Sequence, residues 1–125
     1  MNLNQIGQIA LHADDLERAV AFYRDTLGMR FLFQASPPGL AFFDCGGFRL
    51  MLDAVKEKDS NERISSMLYY KVNDLNGIYE TLLSRGVKFE FKPHLLAKMP
   101  DHDLWISDYK DSEGNIFALM SEVRR

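Results

Sequence analysis

The sequence predicts an α+β protein built from two copies of a β-α-β-β-β module. One observation is a repeat, since the pair Asp-Leu occurs at Asp15 and again at Asp74, an offset of 59 residues. Another is that each pair follows a strand-like stretch and precedes apolar residues at helical spacing. The third is that the hydrophobic period changes toward two after each helix. These features predict one domain over 1–125 with modules at about 5–53 and 65–121.

Both predicted helices carry start and stop signals. Asp14 is the expected N-cap of the first helix, and Glu17 follows three residues later, as a capping box requires. Gly28 follows this helix, where a left-handed C-terminal residue is favoured. In the second copy, Asn73 is the expected cap and Gly86 the stop.

Three short strands are predicted after each helix. Their apolar residues alternate and glycine- or proline-rich turns separate them. They are expected at 29–34, 40–44 and 48–53 in the first copy, and at 87–91, 104–109 and 115–121 in the second. Residues of about 54–64 are charged and predict a connector, and residues 92–103 predict a long loop.

Composition excludes several classes of protein. The 125 residues are 46% hydrophobic and carry a net charge of −3, which argues against a general nucleic-acid binder. The longest apolar runs have five residues, far short of the roughly 20 that span a bilayer. No signal peptide is visible, and Cys45 has no second cysteine to pair with. These features predict a cytoplasmic protein.

A sheet with helices on one face needs cover on the other, and two half-sheets of this kind are expected to form a cup. If Gln8 faces the cup, so does His12 on the same strand, by alternation. Arg49, Met51, Met67, Tyr69, Lys71, Ala118 and Met120 follow by the same rule. Such a mixture of apolar, methionine and polar groups favours a small-molecule pocket, and the alternative is a collapsed core without a ligand.

The segment Ile9-Ala-Leu-His-Ala-Asp-Asp-Leu-Glu-Arg-Ala-Val-Ala-Phe-Tyr-Arg-Asp-Thr-Leu-Gly28 resembles the opening of the vicinal oxygen chelate superfamily. The segment Asp108-Tyr-Lys-Asp-Ser-Glu-Gly-Asn-Ile-Phe-Ala-Leu119 resembles its closing turn and last strand. This group includes glyoxalase I, bleomycin-resistance proteins and extradiol dioxygenases. The resemblance implies a cupped mixed sheet with helices outside, and a homodimer whose modules pair within or between subunits.

The resemblance also implies a divalent metal, usually held by His and Glu from the first and last strands of each half. By the family's spacing, these positions fall on Gln8, Met51, Met67 and Ala118. An amide, two thioethers and a methyl group are poor ligands for such a metal. The sequence therefore predicts no cofactor and disfavours the metal, although a displaced metal stays an alternative.

Two further places carry candidate residues. His12 is either a hydrogen-bonded polar residue of the cup or an acid, base or ligand. The predicted loop contains His94, Asp101, His102 and Asp103, and Trp105 follows it. We expect this segment to cover the cup, with Trp105 as an apolar wall and His102 as a substrate contact; a surface loop is the alternative. Cys45 is expected to be packed, or reactive if exposed.

Three functions remain open from the sequence. The first is a metal-free binder of a small organic molecule, similar to bleomycin-resistance proteins. The second is a glyoxalase-type lyase or isomerase that uses a displaced metal or acid–base residues, with His12, Tyr69 and His102 as the catalytic candidates. The third is a structural or regulatory dimer with an empty cup.

Overall fold

The computed structural model describes residues 1, 4, 6–55 and 67–125. The chain divides into two compact units, Met1–Glu62 and Arg63–Arg125. The predicted connector, about 54–64, lies mostly outside the described residues. The elements are β1 (Gln8–His12), α1 (Leu16–Ala21), β2 (Arg30–Ala35), β3 (Leu40–Cys45), β4 (Phe48–Asp53), β5 (Leu68–Lys71), α2 (Leu75–Ser84), β6 (Lys88–Lys98), β7 (His102–Lys110) and β8 (Ile116–Arg124).

The N-terminal unit is a four-stranded mixed sheet with the strand order β1-β4-β3-β2. Strand β1 runs parallel to β4, and the other neighbours are antiparallel. Helix α1 packs against β3 and β4. Alternate residues point toward this helix, so Phe43, Leu50 and Leu52 are fully buried together with Tyr23. The predicted strands of this half are confirmed to within one residue.

Helix α1 begins one residue later than the sequence predicts. Its N-cap is Asp15, whose carboxylate accepts a hydrogen bond from the Arg18 backbone N–H at 3.2 Å. Asp14 is instead within 2.8 Å of His12, so the expected Asp14 cap is wrong. The helix continues as a π-helical turn over Phe22–Thr26. Gly28 then adopts a φ of 73°, the left-handed conformation that was predicted.

The C-terminal unit repeats the arrangement, with the strand order β5-β8-β7-β6. Strand β5 runs parallel to β8, and the remaining pairs are antiparallel. Helix α2 packs on β6, β7 and β8. The buried Tyr109 ring stacks on Phe117 at 5.4 Å between centroids and lies 6.5 Å from Tyr79 of the helix. Burial raises the pKa of Tyr109, whose hydroxyl is 2.7 Å from Ser107 Oγ.

Helix α2 begins at Asp74 rather than at the expected Asn73. The Asp74 carboxylate accepts a hydrogen bond from the Gly77 backbone N–H at 3.1 Å. Both helices therefore use the aspartate of the repeated Asp-Leu pair as the cap, a local hydrogen bond that stabilises the helix N-terminus. Gly86, with a φ of 80°, ends the second helix as predicted.

The long loop predicted at 92–103 is wrong. These residues form the end of β6, a turn at 99–101 and the start of β7. The error has a physical cause, because β6 is irregular: its pairing with β7 shifts register between Phe89 and Phe91, between Phe91 and His94, and between Leu95 and Ala97. Such bulges break the alternation from which a strand is recognised.

Each sheet has one face that packs on its own helix and one that points away from it, which we call the distal face. The strand register shows which side chains lie on the distal face. They alternate along each strand with the residues that pack against the helix. Among the described residues, no helix is long and apolar enough to cross a membrane.

Candidate functional site

The distal face of the N-terminal sheet carries four of the predicted binding residues. Gln8 and His12 lie on β1, and Arg49 and Met51 lie on β4. The register pairs Gln8 with Arg49 and Ala10 with Met51. The Gln8 side-chain amide donates to Met51 Sδ at 3.6 Å. The structure thus places these two family metal positions in direct contact.

His12 lies at the end of β1, beside two carboxylates. Its Nε2 atom is 2.8 Å from Asp14 Oδ1, and its register partner on β4 is Asp53. Asp53 is 6% exposed and accepts a hydrogen bond from the Val55 backbone N–H at 3.0 Å. The hydrogen bond to Asp14 favours the interpretation of His12 as a hydrogen-bonded polar residue.

The middle of this distal face is apolar. Phe33 on β2 and Phe42 on β3 are register partners and stack with 4.6 Å between their ring centroids. Phe42 is in turn opposite Met51. Across the sheet the row therefore reads Ala10, Met51, Phe42 and Phe33, without an ionisable group.

The corresponding row of the C-terminal sheet differs. It reads Tyr69, Ala118, Asp108 and Phe91, since these residues are successive register partners on β5, β8, β7 and β6. Tyr69 is 44% exposed and Phe91 59% exposed. Ala118 is buried, and Met120 lies on the same face, whereas Met67 directly precedes β5. Two aromatic side chains thus flank a row that contains a carboxyl group.

Asp108 is a functional candidate that the family spacing does not predict. Its Oδ1 atom is buried and has no hydrogen-bond partner among the described residues. Burial raises the pKa of this carboxyl, the neighbouring His94 lowers it, and Glu90 raises it. A buried polar atom without a partner is costly in a folded protein, so it often marks a functional position. In the sequence Asp108 is one of several polar residues in and around the predicted strand 104–109, so it gives no signal of this site.

His94 joins Asp108 on this face, although the sequence places it in a loop. It lies opposite Ile106 of β7, and Ile106 is two residues from Asp108 on the same face of that strand. Its Nδ1 atom is 2.7 Å from the Lys92 carbonyl oxygen. A carbonyl only accepts, so the Nδ1 atom of His94 carries a proton and donates a hydrogen bond to the Lys92 carbonyl. The ring also meets Phe91 edge-on, with 6.0 Å between centroids.

His102 belongs to a different cluster at the far end of the same sheet. Its Nδ1 atom is 2.6 Å from Asp101, and its Nε2 atom is 3.3 Å from Glu122. Glu122 also pairs with Lys71 at 2.8 Å, and this hydrogen bond lowers the pKa of Glu122. Both ring nitrogens of His102 therefore face carboxylates, an arrangement typical of a structural ion-pair network.

Trp105 lies on the helix face, contrary to the expectation that it forms a wall of the cup. Its register partner is Ser121, which shares a face with Phe117. The ring is 36% exposed and lines a shallow pocket of about 330 Å³ near the start of α2. The pocket's lining residues are Asn73, Asp74, Leu75, Asn76, Pro93, Trp105, Ser121 and Val123.

The four family metal positions do not fit a divalent metal. They offer one amide, two thioethers and one methyl group, whereas such a metal favours imidazole and carboxylate. The Gln8 side-chain amide also donates a hydrogen bond to the thioether sulfur of Met51. Among residues 1, 4, 6–55 and 67–125, no three His, Cys, Asp or Glu side chains are grouped closely enough to hold a metal ion.

Cys45 ends β3 and is half-buried. Desolvation raises the pKa of its thiol, with a smaller effect of the same sign from Asp44. A raised pKa lowers the thiolate fraction, and the thiolate is the reactive form. This favours the packed over the reactive interpretation of the cysteine.

Two β-α-β-β-β units, each a four-stranded mixed sheet with a helix packed on one face, are typical of glyoxalase-like proteins. Residues 5–119 match the family model Glyoxalase/Bleomycin resistance protein/Dioxygenase superfamily, and the chain belongs to this superfamily. The resemblance inferred from the sequence and the fold class are thereby confirmed.

Similar proteins of known sequence or structure agree with this assignment. The chain is 26% identical to the uncharacterized protein YraH of Bacillus subtilis, over 90% of this chain and 94% of that protein. It superimposes on a lactoylglutathione lyase from Agrobacterium tumefaciens with a TM-score of 0.74 and 24% identity, covering 96% and 95% of the two chains. A superfamily member from Sphaerobacter thermophilus gives a TM-score of 0.79 at 20% identity, covering 96% and 98%. Likeness at this identity supports the fold and no particular activity.

Proposed function

We propose that this protein binds a small organic molecule on the distal faces of its sheets and does so without the divalent metal usual in its superfamily. The observation that carries the proposal is the set of side chains at the four metal positions, Gln8, Met51, Met67 and Ala118. None is an imidazole or a carboxylate, so the chemistry available there is apolar contact and amide hydrogen bonding.

The remaining distal side chains support an organic ligand. Tyr69 and Phe91 are exposed aromatic groups in the C-terminal unit. Methionines such as Met120 adapt to ligands of irregular shape. Apolar walls with a few polar groups are typical of small-molecule sites.

We further propose a homodimer in the cytoplasm. Exposed aromatic side chains on both distal faces, such as Phe33 and Phe91, favour contact with a second copy. The single cysteine fits a reducing compartment, where disulfides are rare.

Native mass spectrometry of protein purified without chelator or metal-affinity resin tests this proposal. We expect a dimer that carries an organic mass, or takes one up from a metabolite mixture, and contains no transition metal. One transition metal per chain would contradict the proposal. The Gln8→Ala variant is the matched control, since a metal at the family position would be lost in it.

A second candidate function is a metal-independent lyase or isomerase. The observation that favours it is the pair His94 and Asp108, an imidazole and a carboxyl group whose pKa is raised by burial, on one face of the C-terminal sheet. Of the three catalytic candidates predicted from the sequence, Tyr69 lies in the same row as Asp108. His12 and His102 are engaged by carboxylates elsewhere.

A further inference from the structure

The helix-packed face of the C-terminal sheet carries a pocket beside the N-terminus of α2. Its volume of about 330 Å³ lies at the lower end of the range of about 300–1,000 Å³ that is usual for small-molecule sites. Trp105 and Ser121 are register partners on β7 and β8, and both line it. Asp108 and Met120 lie on the opposite face of the same strands, so this pocket is separate from the distal face.

Part of the pocket lining is apolar. Pro93, Trp105 and Val123 contribute ring and aliphatic surface, and both Trp105 and Val123 are exposed. An indole favours a second flat ring, because aromatic rings attract each other when they stack with an offset or meet edge to face. This part of the lining therefore suits a small ring compound.

Ser121 supplies a buried hydroxyl group to the pocket. The residue is 5% exposed, and its hydroxyl makes no hydrogen bond to another of the residues that the structure describes. Buried polar groups are nearly always hydrogen-bonded, because an unmade bond is costly. Ser107 on the same face shows the usual situation, since its Oγ atom is 2.7 Å from the Tyr109 hydroxyl. A ligand in the pocket would give the Ser121 hydroxyl its partner.

The start of α2 brings both donors and acceptors to the pocket. The first backbone N–H groups of a helix have no acceptor within the helix. The Asp74 carboxylate accepts that of Gly77 at 3.1 Å, and the two before it belong to Leu75 and Asn76, which line the pocket. Asp74 and the exposed Asn73 also line it, so a carboxylate and side-chain amides accompany these N–H groups.

The charges around the pocket disfavour an ionic ligand. Asp74 is the one charged side chain among the eight described residues that line it, so an anion would be repelled. The N–H groups at the helix N-terminus carry partial positive charge and disfavour a cation. Nearby, Asp103 accepts a hydrogen bond from Arg125, and this pair adds no net charge. A primary amide is neutral and both accepts and donates, so it matches the lining.

We propose that this pocket binds a neutral single-ring aromatic amide, with the ring against Trp105 and the amide between Ser121 and the start of α2. The carbonyl oxygen of the ligand accepts a hydrogen bond from the Ser121 hydroxyl, and its nitrogen donates to the Asp74 carboxylate. This second site goes beyond the function proposed for the distal faces, and neither proposal depends on the other.

Benzamide, benzoate and benzylamine share one ring and differ in charge, so titration of ¹⁵N-labelled protein with each of them tests this inference. Trp105 is the only tryptophan of the chain, so the indole N–H signal reports on the pocket alone. Benzamide should shift this signal and the backbone amide signals of Leu75 and Asn76 until they saturate. Benzoate and benzylamine should bind about fivefold more weakly or worse, because each leaves one kind of polar group in the pocket unpaired.

A matched pair of serine variants tests the proposed contact. Ser121→Ala should weaken benzamide binding about fivefold, the size of one neutral hydrogen bond, without lowering the free energy of unfolding. Ser107→Ala removes a buried hydroxyl that has a partner, so it should be less stable and bind benzamide like the wild type. Unchanged affinity in Ser121→Ala would contradict the proposed contact.

The remaining outcomes separate this site from the distal face. No shift of the Trp105 signal at tens of millimolar benzamide would overturn the proposal, and tighter binding of benzoate or benzylamine would overturn the assignment of a neutral amide. Shifts confined to Tyr69 and Met120 would place the ligand on the distal face. That result would contradict the second site and support the function proposed above.

Discussion

The two distal faces share one architecture and differ in chemistry. In the N-terminal sheet the central row is Ala10, Met51, Phe42 and Phe33, and its two phenylalanines stack on each other. In the C-terminal sheet the position topologically equivalent to Phe42 is Asp108. The N-terminal row is stabilised by apolar contacts between its side chains. The C-terminal row contains a buried carboxyl oxygen that has no hydrogen-bond partner among the described residues. A duplicated module can thus keep one copy for packing while the other carries polar chemistry.

Among the substitutions that test this difference between the two faces, Phe42→Ala is expected to have the largest effect on the free energy of unfolding. Removing a half-buried ring that stacks on Phe33 should cost about 2 kcal/mol of unfolding free energy, somewhat less than a fully buried phenylalanine. Urea unfolding followed by circular dichroism measures this loss. Phe33→Ala is the control, since its more exposed ring should cost less. Equal losses in the two variants would contradict a packing role specific to Phe42.

Much of this fold is predictable from the sequence, because the signals for helix ends, turns and strands each depend only on residues that are close together in the chain. The Asp-Leu repeat, the two stop glycines and the alternating strands identify both modules. The helix caps are displaced by one residue, since Asp14 and Asp15 are adjacent acceptors of the same type. His12 sits within 2.8 Å of Asp14, and Asp15 caps the helix.

The candidate site is less predictable, because register is a tertiary property. Each bulge in β6 reverses the face of every later side chain on that strand, so His94 cannot be assigned to a face by counting. Asp108 gives no signal of its own, since its pKa depends on burial by residues of other strands. Gln8 and Met51 lie on regular parallel strands, where side chains alternate without interruption, and their side chains are in contact.

The next effect concerns Asp108→Asn. The pKa of Asp108 in the folded state is raised above its value in the unfolded state. At pH values between these two pKa values, the folded state therefore binds more protons than the unfolded state. This group's contribution to stability is therefore present below the unfolded pKa and is lost as the pH rises through the folded pKa. The variant should be more stable than the wild type at neutral pH, and this gain should disappear in acid.

Thermal unfolding between pH 3 and pH 8 measures this difference. Asp25→Asn is the matched control, because a hydrogen bond from Arg24 lowers the pKa of the exposed Asp25. Its pH dependence should have the opposite sign. A loss of stability in Asp108→Asn at neutral pH would show that the carboxylate is favourably paired.

A smaller effect is expected in the titration of Asp108 itself. Because His94 lowers the pKa of Asp108 and Glu90 raises it, His94→Gln should raise that pKa and Glu90→Gln should lower it. Carboxyl ¹³C NMR of aspartate-labelled protein follows the titration directly. An unchanged Asp108 pKa in both variants would show that neither His94 nor Glu90 interacts with Asp108.

The smallest effect is expected for Glu122→Gln. The hydrogen bond from Lys71 lowers the pKa of Glu122, so its contribution is present above the unfolded pKa and is lost as the pH falls through the folded pKa. The pair is exposed, so added salt should remove most of the difference from the wild type. Thermal unfolding at low and high ionic strength provides the comparison, and a salt-independent loss would point to packing instead.

Methionine methyl NMR tests the central claim, metal-free binding of an organic ligand, most directly. Met51 and Met67 occupy two family metal positions, Met120 lies on the distal face of the C-terminal sheet, and Met29 and Met99 are internal references. We predict that phenylacetone, used as a small organic probe with one aromatic ring, shifts the Met67 and Met120 methyl signals, and that paramagnetic Ni²⁺ broadens all methionine signals alike. Selective broadening of Met51 and Met67 by Ni²⁺ at micromolar concentration would contradict the account.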